Sequence, residues 1–126
     1  MNENEISKVI VSAVYHVYNA LGPGLLESVY EKVLAYELEK RGLTIRRQVS
    51  IPIIYDHKNF GDGDLRADMI VEDKVIVELK SVLELKDVYY KQLLTYLRLS
   101  GLKLGLLVNF DTSDLRGHIR RVVNGL

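Results

Sequence analysis

The sequence predicts an α/β fold of the α+β type, a mixed central sheet flanked by helices, and three observations predict it. The N-terminal part carries apolar residues at the three-four spacing of amphipathic helices. The middle of the chain alternates apolar and polar residues with the period of two that marks half-buried strands. Two strongly apolar runs, Val75 to Leu79 and Leu104 to Phe110, then enclose a third helical stretch. A helix between two buried strands implies a right-handed parallel crossover.

The first helix follows from Ile6, Val9, Ile10, Ala13, Val14, Val17 and Leu21, which form one stripe, and it stops at Gly22-Pro23-Gly24. His16 falls at the edge of that stripe and reads as a boundary residue rather than a ligand. A second helix runs from about Leu25 to Arg41, with Leu26, Val29, Tyr30, Val33 and Leu34 as its expected buried face. Glu27 lies in its first turn, where the helix dipole favours an acid by about 0.3–1 kcal/mol. It also leans toward the apolar side, so helix-end chemistry and a functional site both remain open for it.

Ile45 to Tyr55 alternates and reads as a strand, with Pro52 placing it near an edge or a bulge. Gly61-Asp62-Gly63 punctuates a turn, and a second strand covers about Asp64 to Val71 with Arg66, Asp68 and Ile70 on one face. The third helix is expected over Lys86 to Ser100, ending at Gly101, with Tyr89, Leu93, Tyr96 and Leu97 inward. Gln92 and Tyr96 are four apart and share a side of it, although Tyr96 taken alone reads rather as an ordinary core aromatic. The tail from His118 to Val123 forms either an edge strand or a short helix.

Val75-Ile76-Val77-Glu78-Leu79-Lys80 is the unusual stretch. Glu78 and Lys80 sit two apart and so share one face of a buried strand, where unpaired charge costs several kcal/mol. An acid, any residue and a lysine also occur at Asp56-His57-Lys58, Glu72-Asp73-Lys74 and Glu84-Leu85-Lys86, so the tripeptide alone carries little weight. Only the copy at Glu78 lies in an apolar strand with an acid, Asp68, on the strand before it. Register separates a metal site from an ordinary surface ion pair. A turn made of Glu72-Asp73 alone would put Asp68 opposite Val77 and turn Glu78 to the other face. A turn of Glu72-Asp73-Lys74 puts Asp68 opposite Glu78, a repulsive pair that a divalent cation between them would make favourable. In that register the two carboxylates should lie within about 5 Å of each other, with Glu27 and Lys80 bordering the same cleft.

Composition narrows the function. Lys+Arg and Asp+Glu both number 17, so the net charge is zero, which argues against broad non-specific coating of nucleic acid but not against a local basic patch. There is no cysteine, hence no disulfide framework or thiolate metal site. The polar, acidic start is unlike a signal peptide, and no apolar run approaches the ~20 residues that span a bilayer. A cytoplasmic location and no membrane partner are expected. At 126 residues, the chain is expected to be a single domain, residues 1–126.

Taken together, Gly24-Leu25-Leu26-Glu27-Ser28-Val29-Tyr30, the Asp68 strand, Val77-Glu78-Leu79-Lys80, Gln92-Leu93-Leu94-Thr95-Tyr96-Leu97 and Leu106-Leu107-Val108-Asn109-Phe110 resemble the GxxExxY protein family, almost end to end. That family is assigned to the PD-(D/E)XK nuclease-like superfamily, with its restriction-endonuclease-like αβββαβ core. Ala67 stands before Asp68 where the superfamily's name has proline. The resemblance implies a site of Glu27, Asp68, Glu78, Lys80, Gln92 and Tyr96, the last pair being similar to the QxxxY element of RecB-like nucleases. A histidine often fills the first-helix position in those enzymes, and Glu27 fills it here. The implied cofactor is Mg²⁺, or Mn²⁺, held by Asp68, Glu78 and the Leu79 backbone carbonyl, with Glu27 as a further candidate, since hard cations prefer oxygen ligands. Such an ion lowers the pKa of bound water and stabilises phosphate charge, and Lys80 would orient or deprotonate that water or neutralise developing charge. The implied activity is Mg²⁺-dependent cleavage of phosphodiester bonds in nucleic acid, DNA before RNA. The alternative is a nuclease-like interaction or nucleic-acid-binding module without its own activity. Zero net charge and small size suit a homodimer or a larger protein partner.

Overall fold

The computed structural model describes residues 1–126. Helix α1 covers Glu3–Leu21 and begins with a reciprocal cap, in which the Asn2 side chain accepts from the Glu5 N–H and Glu5 accepts from the Asn2 N–H. Helix α2 covers Glu27–Lys40. Strand β1 (Ile45–Ser50) is followed by a two-stranded hairpin, β2 (Ile54–Tyr55) and β3 (Lys58–Asn59). Then come β4 (Arg66–Val71), β5 (Val75–Lys80), helix α3 (Asp87–Ser100), β6 (Leu104–Asn109) and β7 (Ile119–Val123).

The main sheet has the order β1-β4-β5-β6-β7. β5 and β6 are parallel, joined by the α3 crossover, and the other neighbours are antiparallel. Apolar side chains fill both faces. Met69, Val71, Val75, Val77, Leu79, Leu104, Leu106 and Val108 meet α1 and α2 on one side. Ile70, Ile76 and Leu107 meet Leu93, Tyr96 and Leu97 of α3 on the other. Gly105 permits that second contact, because a Cβ there would stand 2.8 Å from Leu93 Cδ1. No helix is long and apolar enough to cross a membrane.

Three local readings are corrected. The expected strand to Tyr55 ends at Ser50, and Ile54 and Tyr55 belong to the separate hairpin, whose tip residues Asp56 and His57 both have positive φ. Helix α2 is rotated from the expected face: Tyr30, Glu31, Leu34, Ala35, Glu37 and Leu38 are buried, whereas Leu26 is exposed just before the helix starts. Leu21, at the end of α1, is exposed as well. The tail is the edge strand β7. Its Arg121 donates to the Asn4 side chain, which brings the two ends of the chain together.

Candidate active site

The turn between β4 and β5 contains three residues, Glu72-Asp73-Lys74, flanked by the pair Val71–Val75. Glu72 and Asp73 both take left-handed backbone (φ 54° and 53°), and the Lys74 N–H donates to the Val71 carbonyl at 3.0 Å. Side chains hold the turn: Glu72 accepts from the Thr44 N–H and Asp73 pairs with Arg46. This register sets Asp68 opposite Glu78.

The β4–β5 ladder stops at Met69–Val77, one residue short of the two acids. From there carboxylates replace the ladder. The Asp68 N–H donates to Glu78 Oε1 at 3.0 Å, and the Leu79 N–H donates to Asp68 Oδ2 at 2.8 Å. Each acid is thus oriented by the other's strand. Glu78 is buried and Asp68 half-buried. Burial, reinforced by the negative charge of Asp68, pushes the Glu78 carboxyl up to about 8. Burial also raises Asp68, helped by the charge of Glu31 and opposed by the Leu79 N–H and Lys80. Without a cation, burial and the neighbouring Asp68 favour the protonated form of Glu78.

Lys80, two residues beyond Glu78, places its Nζ 4.7 Å from the centre of the Tyr89 ring. Its charge favours the ionised form of both acids. Tyr96 arrives from α3, nearly fully buried, and its hydroxyl is held protonated by burial and by the charges of Glu78 and Asp68. Gln92 lies one turn earlier on the same helix and is exposed.

Glu27 does not join the acidic pair. It is exposed, and its Oε2 accepts from the Ser81 N–H at 3.2 Å. Ser81, which follows Lys80, joins Glu27 at one groove, and Lys80 itself lines none. Glu27 lines a groove of about 390 Å³ with Leu25, Leu26, Ser28 and Ser81, whereas Tyr89, under Lys80, lines one of about 520 Å³ with Val82, Leu83, Glu84 and Lys86. After β5, Asn109 grips Val82 through both the Val82 N–H and carbonyl, with Ser81 on the first groove and Val82 on the second.

The residue missed from sequence is Glu31, one helical turn beyond Glu27. It is buried, Arg47 donates to its Oε2 from Nε (2.9 Å) and Nη2 (2.7 Å), and Gln48 Nε2 donates to its Oε1 at 2.7 Å. Its only sequence signal is its place on the wheel between Tyr30 and Leu34.

The motif Gly24 to Tyr30 is built around Tyr30. The hydroxyl donates to the Gly22 carbonyl at 2.5 Å and accepts from the Leu25 N–H at 3.2 Å, while the ring stacks on Phe110 with centroids 4.2 Å apart. The start of α2 is therefore pinned to the residue that follows β6.

The donor chemistry suits a hard divalent cation. Asp68 Oδ1 and Glu78 Oε2 carry no backbone donor, and both are carboxylate oxygens in a low-dielectric setting that disfavours their negative charge. No group of three or more His, Cys, Asp or Glu side chains converges, so protein carboxylates here supply a pair.

Comparison with curated proteins and with solved structures gives no significant match. A family model for the PD-(D/E)XK nuclease superfamily matches residues 4–122. Three helices around a five-stranded mixed sheet agree with the restriction-endonuclease-like fold of those proteins. Since the match takes in all of the three helices but Glu3 and all of the main sheet but Val123, the chain belongs to the PD-(D/E)XK nuclease superfamily.

Proposed function

We propose that residues 1–126 form one domain that hydrolyses phosphodiester bonds of nucleic acid, DNA first, with Mg²⁺ or Mn²⁺ as cofactor. The observation that carries this reading is the cross-bonded pair of half-buried Asp68 and buried Glu78, with Lys80 on the same strand face. Asp68, Glu78 and the Leu79 carbonyl would hold the ion. When bound, the ion supplies Lewis-acid polarisation of phosphate and a more acidic water. Lys80 neutralises charge developing on the phosphate and can accept or return a proton at Nζ, while its contact with Tyr89 limits where the ammonium swings. Tyr96, whose hydroxyl burial and the two acids keep protonated, would donate a hydrogen bond to the substrate. Gln92, exposed on the same side of α3, orients a phosphate or water at the rim. Glu27 fixes the Ser81 backbone, a supporting role in place of ligation.

Within the superfamily, the anchored Gly24-to-Tyr30 turn supports placement in the GxxExxY group. Cytoplasmic action and a homodimer or larger protein partner complete the proposal. A second reading, a nuclease-like binding module without activity, is favoured by one observation: Glu27 stands apart and no third carboxylate completes the pair.

The test offers single- and double-stranded DNA and RNA, with Mg²⁺ and with Mn²⁺, to the wild type and to variants. Lys80→Ala should lower turnover about 10²–10⁴-fold and leave metal affinity nearly intact. Glu78→Ala should remove both metal binding and cleavage, and Gln92→Ala should cost less than Lys80→Ala. A wild type that cleaves while Lys80→Ala cleaves equally well would refute the assigned mechanism. Metal binding without any cleavage would favour the module.

A further inference from the structure

Gln48 lies in the middle of edge strand β1, yet its φ is +50°, a left-handed conformation that a non-glycine residue adopts at a cost. The β1–β4 ladder pairs Arg47 with Met69 and Val49 with Ala67, and it omits the pair between them, Gln48 with Asp68. The β4–β5 ladder omits Asp68 as well. Asp68 is therefore the one β4 residue from Ala67 to Val71 that β1 leaves unpaired, and its N–H goes to the Glu78 carboxylate instead.

A specific contact holds Gln48 in this state. Its Nε2 donates to Glu31 Oε1, and Glu31 is itself fixed by Arg47 from the adjacent position of β1. An interrupted strand, a left-handed residue and a buried acid thus converge opposite one metal-ligand candidate. Strain of this kind persists where surrounding contacts enforce it.

We infer that Gln48, latched to Glu31, is a positioning residue: its left-handed backbone keeps β1 from pairing with Asp68, so that Asp68 and Glu78 stay bonded to each other's strands in the geometry that receives a divalent cation. The Gln48 side chain hydrogen-bonds Glu31 and not the carboxylate of Asp68 or Glu78, so it acts through the Asp68 backbone. With Gln48 extended, the Gln48–Asp68 pair would close like its neighbours, and the Asp68 N–H would lose its reason to hold Glu78. The inference rests on the proposed metal site.

Three variants separate the possibilities, read by calorimetric titration of Mn²⁺ into the full chain, with melting temperature recorded beside it. Gln48→Gly keeps the left-handed backbone at no steric cost and should bind Mn²⁺ close to wild type. Gln48→Val is β-branched and favours the extended strand, so it should weaken Mn²⁺ binding at least about tenfold, as loss of a group supporting metal ligands does. All three variants lose the bond to the buried Glu31 Oε1, so each should melt somewhat below wild type, while only the Mn²⁺ affinities should separate Val from Gly. Gln48→Ala should fall between the two, and it decides the matter if the Val variant does not fold. A residue with a merely structural role would change melting and leave the three affinities alike; that pattern overturns the inference while the metal site stands. A wild type that binds no Mn²⁺ overturns both.

Discussion

Glu78 is the residue whose environment makes the sharpest demand. In the unfolded chain its carboxyl titrates near 4.5, and in the fold near 8. Between those values the metal-free folded protein holds a proton that the unfolded chain has released. Its stability is therefore greatest below pH 4.5 as far as this group is concerned, falls as pH rises through the window, and levels off above about 8. The slope approaches about 1.4 kcal/mol per pH unit if Glu78 acts alone. Urea unfolding in a chelator across that range should show the decline, and Glu78→Gln should flatten it. A divalent cation must displace the same proton, so Mn²⁺ affinity should rise with pH over the same interval. By the same electrostatics, Asp68→Asn should be neutral or stabilising without metal, whereas Mg²⁺ or Mn²⁺ should raise the melting temperature of the wild type alone. If Asp68→Asn unfolds the metal-free protein, Asp68 serves as a structural ion-pair partner.

Elements show which parts of this were legible in sequence. The strands that carry the site announced themselves, because β4, β5 and β6 are apolar enough that period and register leave few alternatives. The three-residue turn was one of two open choices, and the side-chain bonds from Glu72 and Asp73 that hold it come from β1 and the residue before it. The face of α2 was misread because burial of Glu31 and Glu37 depends on Arg47, Gln48 and Arg41, partners that periodicity does not see. Gln48 was invisible for a related reason: nothing in Ile45-Arg46-Arg47-Gln48-Val49-Ser50 departs from a strand until the fold places Glu31 beside it. The Gly22-to-Tyr30 turn is testable at this scale. Tyr30→Phe keeps the stack on Phe110 and removes the hydroxyl that serves Gly22 and Leu25. It should cost about 1–2 kcal/mol in chemical denaturation, the range for stranding a partly buried hydrogen-bonding group. Mn²⁺ affinity should survive, since the carboxylate pair sits on other elements.

For the whole molecule, zero net charge leaves no global field to draw in nucleic acid, so the proposed substrate would have to be attracted by local cations. Arg66 lies two residues before Asp68 on the same strand face, Lys80 lies beside the pair, and Lys86 lines the neighbouring groove. If these three make the phosphate contacts, log affinity for duplex DNA should fall with log salt at a slope no steeper than about −3, given roughly 0.9 per phosphate neutralised. Anisotropy titrations at several salt concentrations would measure it, and a much steeper slope would require a wider basic surface, such as one shared between subunits. The side-chain bond between Asn4 and Arg121 has another consequence, for connectivity. It sets residue 4 beside residue 121, so the order in which the polypeptide visits its elements can be separated from where they stand. A chain joined through a short linker from Leu126 to Met1, and opened between Asp56 and His57 at the exposed hairpin tip, should fold to the same sheet. It should retain wild-type Mn²⁺ affinity, because no strand that bears the acidic pair is cut; loss of binding in a folded permutant would mean that the hairpin's continuity helps hold β1 and β4 in place.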